Sequence, residues 1–264
     1  MVVWLAAAGI ASLAGPVFGA RFDPLFRVVG IRGECTVKPP GSDEFVPATE
    51  NKAYQYGTEV RTGAESAAIV RFSNGNDCRL EQNTCITVLQ DERDEKLKIV
   101  KLHEGKIMME LDPGFSKRKT DALNIDMTMG IVEAMGGKFN VAKTTDKRKG
   151  LSMTAIACTE GTISVFGPGF EVPVVKKREA LLVSGSPSGN YACVRSVRGE
   201  HDVDLAAADG ARKTVLMKKG FAVKFWRTKS KAEGLQVTAV SVVTERGAIL
   251  DAYAYEEKLD KDTK

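Results

Sequence analysis

The chain is poor in histidine, in tryptophan and in any pattern that reads as helix. Its 264 residues include two histidines, His103 and His201, and two tryptophans. His103 is followed by Glu104 and His201 by Asp202. Strand neighbours point to opposite faces, so neither acid can orient the imidazole beside it as a nucleophile–base–acid relay requires. No Cys/His spacing suits a zinc site, since Cys78 and Cys85 lie too far apart for a half-site and no second half follows. The run Asp91–Glu95 lacks the glycine and closing glutamate of a calcium loop. There is no glycine-rich phosphate loop, and Gly185–Gly189 resembles a nucleophile elbow only in composition. These absences lead us to expect no enzyme activity, no cofactor and no metal.

Strong charge of one sign is also missing. The 38 basic and 34 acidic residues leave a net charge of +4, too little to imply a nucleic-acid partner. With 43% hydrophobic and 27% charged residues the composition is that of a folded globular protein. Five cysteines, Cys35, Cys78, Cys85, Cys158 and Cys193, leave at least one unpaired within the chain.

Residues 2–18 carry no charge and include Pro16, and the small residues Gly19 and Ala20 follow before Arg21. This stretch, residues 1–20, reads as a secretory signal peptide cut near Gly19 or Ala20. No Lys or Arg precedes the apolar run, and an uncleaved anchor is the alternative, the one way in which the chain would contact a membrane. The expected location is periplasmic or extracellular, as for an exported bacterial protein.

What is abundant is a turn glycine followed by alternating residues. Gly33–Val37, Gly105–Leu111, Gly137–Val141, Gly161–Phe166 and Gly220–Phe225 all follow it. Val, Ile, Thr and Phe recur in these runs. The fold class expected is all-β, a multi-stranded antiparallel β-sandwich or β-roll built of short hairpins with little helix. The best-defined stretch runs from Gly57 to Leu89. It predicts strands at Thr58–Arg61, Ser66–Phe72, Asp77–Glu81 and Cys85–Leu89, with a hairpin turn at Ser73–Asn76. On this register Cys78 points inward and Cys85 outward, so the two should not form a disulfide. Leu151–Phe166 reads as a hairpin turning at Glu160–Gly161, Lys143–Gly150 as a basic loop, and Ala206–Ala208 as one helical turn.

The order of these fragments carries a resemblance. Tyr56–Gly63, Ser66–Phe72, Asn74–Asn76, Arg79–Glu81 and Asn83–Thr84 look like the FecR domain, with its strand ending in Thr-Gly, its Asn-Gly turn and its Asn-Thr turn. Glu104–Ile107, Leu123–Ala134 and Glu160–Val165 continue it, with Met129 where the family usually has proline and Gly136–Gly137 where it has Gly-Thr. The resemblance covers Val28 to Val194. It implies an envelope-side sensory or binding module, without the cytoplasmic anti-sigma segment of the founding members. The domain reading is a signal peptide at 1–20, a FecR-like β domain at 21–195, an added β layer or small second β domain at 196–255, and a disordered tail at 256–264.

The candidate contact residues are basic loops, Lys117, Arg118 and Lys119, Lys147, Arg148 and Lys149, and Lys176, Lys177 and Arg178. Gathered at one end, they would bind an anionic surface polysaccharide or an acidic envelope protein. Two other classes of function stay open: a structural envelope or matrix protein that self-assembles through sheet edges, and a glycan hydrolase using a carboxylate pair such as Asp202 and Asp204.

Overall fold

The computed structural model describes residues 26–90, 98–112, 123–167, 169–186, 190–206, 212–229 and 235–258. The proposed signal segment, the loop holding Lys117, Arg118 and Lys119, and Ala207–Ala208 lie outside the described residues.

Alternation of buried and exposed residues forms strands throughout, and no helix occurs among the described residues. In chain order the strands are β1 (Phe26–Arg32), β2 (Cys35–Lys38), β3 (Val46–Pro47), β4 (Ala53–Tyr54), β5 (Glu59–Thr62), β6 (Ala67–Phe72), β7 (Asp77–Leu80), β8 (Cys85–Gln90), β9 (Lys98–Leu111) and β10 (Leu123–Asp126). They continue with β11 (Ile131–Asp146), β12 (Leu151–Gly167), β13 (Phe170–Lys176), β14 (Ala180–Gly185), β15 (Tyr191–Arg198), β16 (His201–Ala206), β17 (Arg212–Met217), β18 (Ala222–Lys229), β19 (Leu235–Val243) and β20 (Ile249–Lys258). The architecture is all-β and sheet-rich, as expected.

The pairings resolve into two facing layers. The first runs β3–β2–β5–β8, the start of β9, β10, the start of β11, the end of β12, then β13–β16–β17. The second runs β4–β1–β6–β7, the end of β9, the rest of β11, the start of β12, then β14–β15–β18–β19–β20. Every pair is antiparallel except β9–β10. Leu102, Ile125, Val165 and Leu205 of the first layer join Val70, Met109, Phe139, Ile156 and Phe225 of the second in one buried cluster.

Three strands are much longer than a hairpin arm. β9, β11 and β12 span 14, 16 and 17 residues and pass from one layer to the other at Gly105, at Gly136–Gly137 and at Gly161. The expected hairpin at Glu160–Gly161 is therefore a bend inside β12. Gly161 has φ +77, and a Cβ there would meet the Gly136 carbonyl oxygen at 2.7 Å.

The corners form two rows. In the first half of the chain they sit side by side at Gly33, Gly63, Asn83 and Gly105, tied by Gly63 N–H to Glu34 O at 3.0 Å and Asn83 N–H to Gly63 O at 3.0 Å. From β11 onward they move to the opposite edge. Gly105 pairs with Lys143 at one end of the β9–β11 ladder, and Gly137 with Leu111 at the other, roughly 20 Å away. The second row continues through Arg178, Gly199 and Gly220.

Four other local readings change. Lys143 is not in a loop: it lies in β11, 5% exposed, its Nζ donating to Leu102 O at 2.9 Å and Thr128 Oγ1 at 2.7 Å. Burial holds its pKa below the ordinary lysine value. Ala206 ends β16. β20 keeps its register through Glu256, opposite Val237, to Lys258, opposite Leu235, so pairing extends into the segment read as a tail. Cys85 lies on the outer face as expected, yet it is only 3% exposed, because Glu59 covers it.

Candidate functional site

The switch of corner row leaves a groove on the second edge. Its volume is about 800 Å³, and it is lined by the turn residue Gly75, by Asp77 of β7, by Glu110, Leu111 and Asp112 at the end of β9, by Gly136, Gly137 and Lys138 of β11, and by Glu160, Gly161 and Thr162 of β12. Four lining positions are glycines, and Gly137 is held by contact: a Cβ there would stand 2.1 Å from the Glu160 carbonyl oxygen. The lack of side chains lets another backbone come close.

The walls are acidic. Asp77 accepts a forked pair from Arg71 at 2.7 and 2.8 Å, and Glu110 accepts from Lys138 at 2.6 Å. The hydrogen bond to Glu110 raises the Lys138 pKa above its ordinary value. Asp112 and Glu160 add two further carboxylates, while Lys138 is the single basic residue among the described residues of the lining. A groove of this kind suits an extended segment that brings cations and donors. Sequence reasoning placed Glu160–Gly161 at a turn between strands and did not bring the lining residues together. The available signal was glycine inside otherwise regular strand patterns, which marks close backbone approach.

Two of the three basic groups fall among the described residues, and they lie apart. Lys147, Arg148 and Lys149 are exposed in the β11–β12 turn, on the side of the first corner row. Lys176, Lys177 and Arg178 are exposed at the β13–β14 corner in the second row. Six residues of β12 separate the two groups, roughly 20 Å along the strand. Lys218 and Lys219, at the β17–β18 corner, share the second row.

The two histidines and the five cysteines lie outside the groove and are buried or half-buried. The His103 Nε2 lies 2.7 Å from Thr87 Oγ1, and burial is the largest cause lowering its pKa. The His201 Nε2 is 3.2 Å from Arg198 O and its Nδ1 3.5 Å from Glu179, and burial again lowers its pKa against the opposing pull of that carboxylate. All five cysteines are free and buried. Burial pushes the Cys35 thiol up to about 11, and Cys85, which also donates to Glu59 Oε1 at 3.1 Å, up to about 12. Thiols held protonated in this way are not activated nucleophiles. Asp204 accepts from Thr214 Oγ1 at 2.6 Å and lies 4.0 Å from Arg212, a cross-strand arrangement rather than a cleft. Phe225 is buried and stacked on Phe170 at 5.4 Å, while Trp226 is half-exposed beside Tyr191. No helix among the described residues is long and apolar enough to cross a membrane.

Comparison with known proteins gives one family. Residues 58–164 match the family described as FecR protein. Two crystal structures of a "putative anti-sigma factor" from Parabacteroides distasonis ATCC 8503, at 2.50 and 1.65 Å resolution, resemble the chain with a TM-score of 0.41 and 12% identity. Each comparison covers 61% of this chain and 59% of that one. No curated protein matches the chain.

Proposed function

Because residues 58–164 match the FecR family, we propose that the chain is a non-enzymatic sensory or binding module on the outer side of a bacterial inner membrane, and that it contacts an envelope protein through the acidic groove. The observation that carries this reading is one of position. Every residue lining the groove, from Gly75 to Thr162, falls inside the family match. The groove thus lies within the stretch that resembles the family.

The basic loops support a surface polysaccharide less well. Two of the three groups lie on opposite edges, so a polymer would meet them one at a time. The acidic, glycine-floored groove favours a polypeptide with exposed lysine or arginine.

The test is a pull-down from envelope extract with residues 21–264, with the captured proteins identified by mass spectrometry. The double variant Glu110→Lys/Glu160→Lys should lose the partner, while changing Lys147, Arg148 and Lys149 to serine should retain it. Capture that depends on the basic loops and ignores the groove would favour the anionic-polymer reading instead.

A further inference from the structure

Five charged side chains stand in one row across the second layer. Arg71 of β6 pairs with Asp77 of β7, Asp77 with Glu110 of β9, Glu110 with Lys138 of β11, and Lys138 with Glu160 of β12. The last four of them line the groove. Cross-strand neighbours stand about 5 Å apart at Cβ, so each charge acts on the next.

Most of this charge is already matched. The Arg71 guanidinium takes both carboxylate oxygens of Asp77, at 2.7 and 2.8 Å. The Lys138 ammonium donates to Glu110 at 2.6 Å. Asp112, beside the row, has a partner as well. No hydrogen bond or ion pair among the described residues reaches the Glu160 carboxylate. The row holds the cations Arg71 and Lys138 against Asp77, Glu110 and Glu160, and Glu160 is the carboxylate left over.

Lys138 is placed to decide what enters. It stands between two carboxylates, and its bond to Glu110 is solvent-exposed, with 45% of the lysine side chain and 61% of the glutamate side chain accessible. An exposed pair of this kind is weak, yet it keeps a full positive charge beside Glu160. The hydrogen bond to Glu110 raises the Lys138 pKa most, and the charge of Glu160 raises it further, so the ammonium persists through the neutral range. A partner cation seated on Glu160 therefore has Lys138 as its neighbour. A second cation, one or two residues along an extended segment, lies only about 3–7 Å from the first. It meets the Lys138 charge and finds no open carboxylate among the described residues of the row.

We propose that Lys138 is a specificity residue of the groove: the site takes a partner segment with one isolated lysine or arginine, held by Glu160, and discriminates against a run of basic residues. The inference rests on the groove being the contact site. Lys138 lowers the attraction of the groove for cations in general. What it adds is selectivity, because like charges set side by side act against the wrong partner.

The test titrates the isotope-labelled chain, residues 21–264, with two end-blocked peptides and follows the backbone amides by NMR. One peptide is Gly-Ser-Ser-Lys-Ser-Ser-Gly and the other Gly-Ser-Lys-Lys-Lys-Ser-Gly. The single-lysine peptide should move the amides of 160–162, and the three-lysine peptide should bind no more tightly. In Lys138→Gln the ratio of the two affinities should shift about fivefold or more toward the three-lysine peptide. Lys138→Arg, which keeps the charge, should hold the wild-type ratio. Glu160→Gln should weaken the single-lysine peptide by about fivefold with the circular dichroism spectrum unchanged. Tighter binding of the three-lysine peptide by the wild type, in a ratio that Lys138→Gln leaves unchanged, would overturn the inference and leave the groove as a general cation site. Shifts from neither peptide at 75–77, 110–112, 136–138 or 160–162 would overturn both the inference and the reading it rests on.

Discussion

At the N-terminal end the outermost strands, β3 and β4, are two residues long, and the chain between them is stitched down. Ala48 N–H reaches Cys35 O at 2.9 Å, Asn51 N–H reaches Val28 O at 2.6 Å, and the Tyr54 hydroxyl accepts from Thr49 N–H at 2.8 Å. Pro39, Pro40 and Pro47 remove donors from the same region. At the C-terminal end no strand among the described residues covers the outer side of β17 or β20, which have six and ten residues, and Leu216, Ile249 and Leu250 are exposed. Proteins usually blunt sheet edges. The N-terminal end does so with short strands, prolines and a hydrogen-bonded loop, and β20 does so with a bulge between its pairs with Val243 and Val242.

The comparison can be broken first at the corners that separate the two halves. Gly137→Val adds a Cβ against the Glu160 carbonyl oxygen at a residue with φ +96. It should cost more than about 4 kcal/mol and leave little folded protein, read by chemical denaturation. Next comes the packing under the N-terminal cap. Phe26 is 1% exposed and stacks on Tyr54 at 5.8 Å. Phe26→Ala should cost about 3 kcal/mol, whereas Leu250→Lys at the C-terminal end should change stability by less than about 0.5 kcal/mol.

Acid should act on both halves. His103 and His201 have folded pKa values below the ordinary histidine value, chiefly through burial. Folding thus favours their neutral forms. Their contribution is complete above the unfolded pKa of about 6.5 and is lost as pH falls through the lower folded values. Melting temperature should drop on going from neutral to mildly acidic pH, and His201→Gln should flatten that profile more than His103→Gln, because His201 is the more buried. The smallest expected effect is at Tyr54. Tyr54→Phe strands the Thr49 N–H and should cost about 1 kcal/mol, visible as a small shift in the denaturation midpoint.

Much of the fold was legible because hairpins announce themselves locally. Ser73–Asn76, Gln82–Thr84 and the alternation of Ala67–Phe72 appear where they were expected. The long bent strands were not legible. A glycine with positive φ serves a reversal within one sheet and a bend between two equally well, and the choice is made by partners distant in sequence, such as Gly136 for Gly161. Lys143 was misplaced for a related reason. A lysine before Lys147–Lys149 looks like more of a basic loop, and only the crossing of the layers shows that its amine satisfies Leu102 O and Thr128 inside. The groove was hidden in the same way, since its carboxylates come from three separate strands, β7, the end of β9 and β12, that only the corner switch assembles.

The most direct measurement of the central claim is hydrogen–deuterium exchange of residues 21–264 with and without the captured envelope partner. The account predicts new protection at 75–77, 110–112, 136–138 and 160–162, the four segments that line the groove. Protection confined to 147–149 and 176–178, with the groove unchanged, would contradict it.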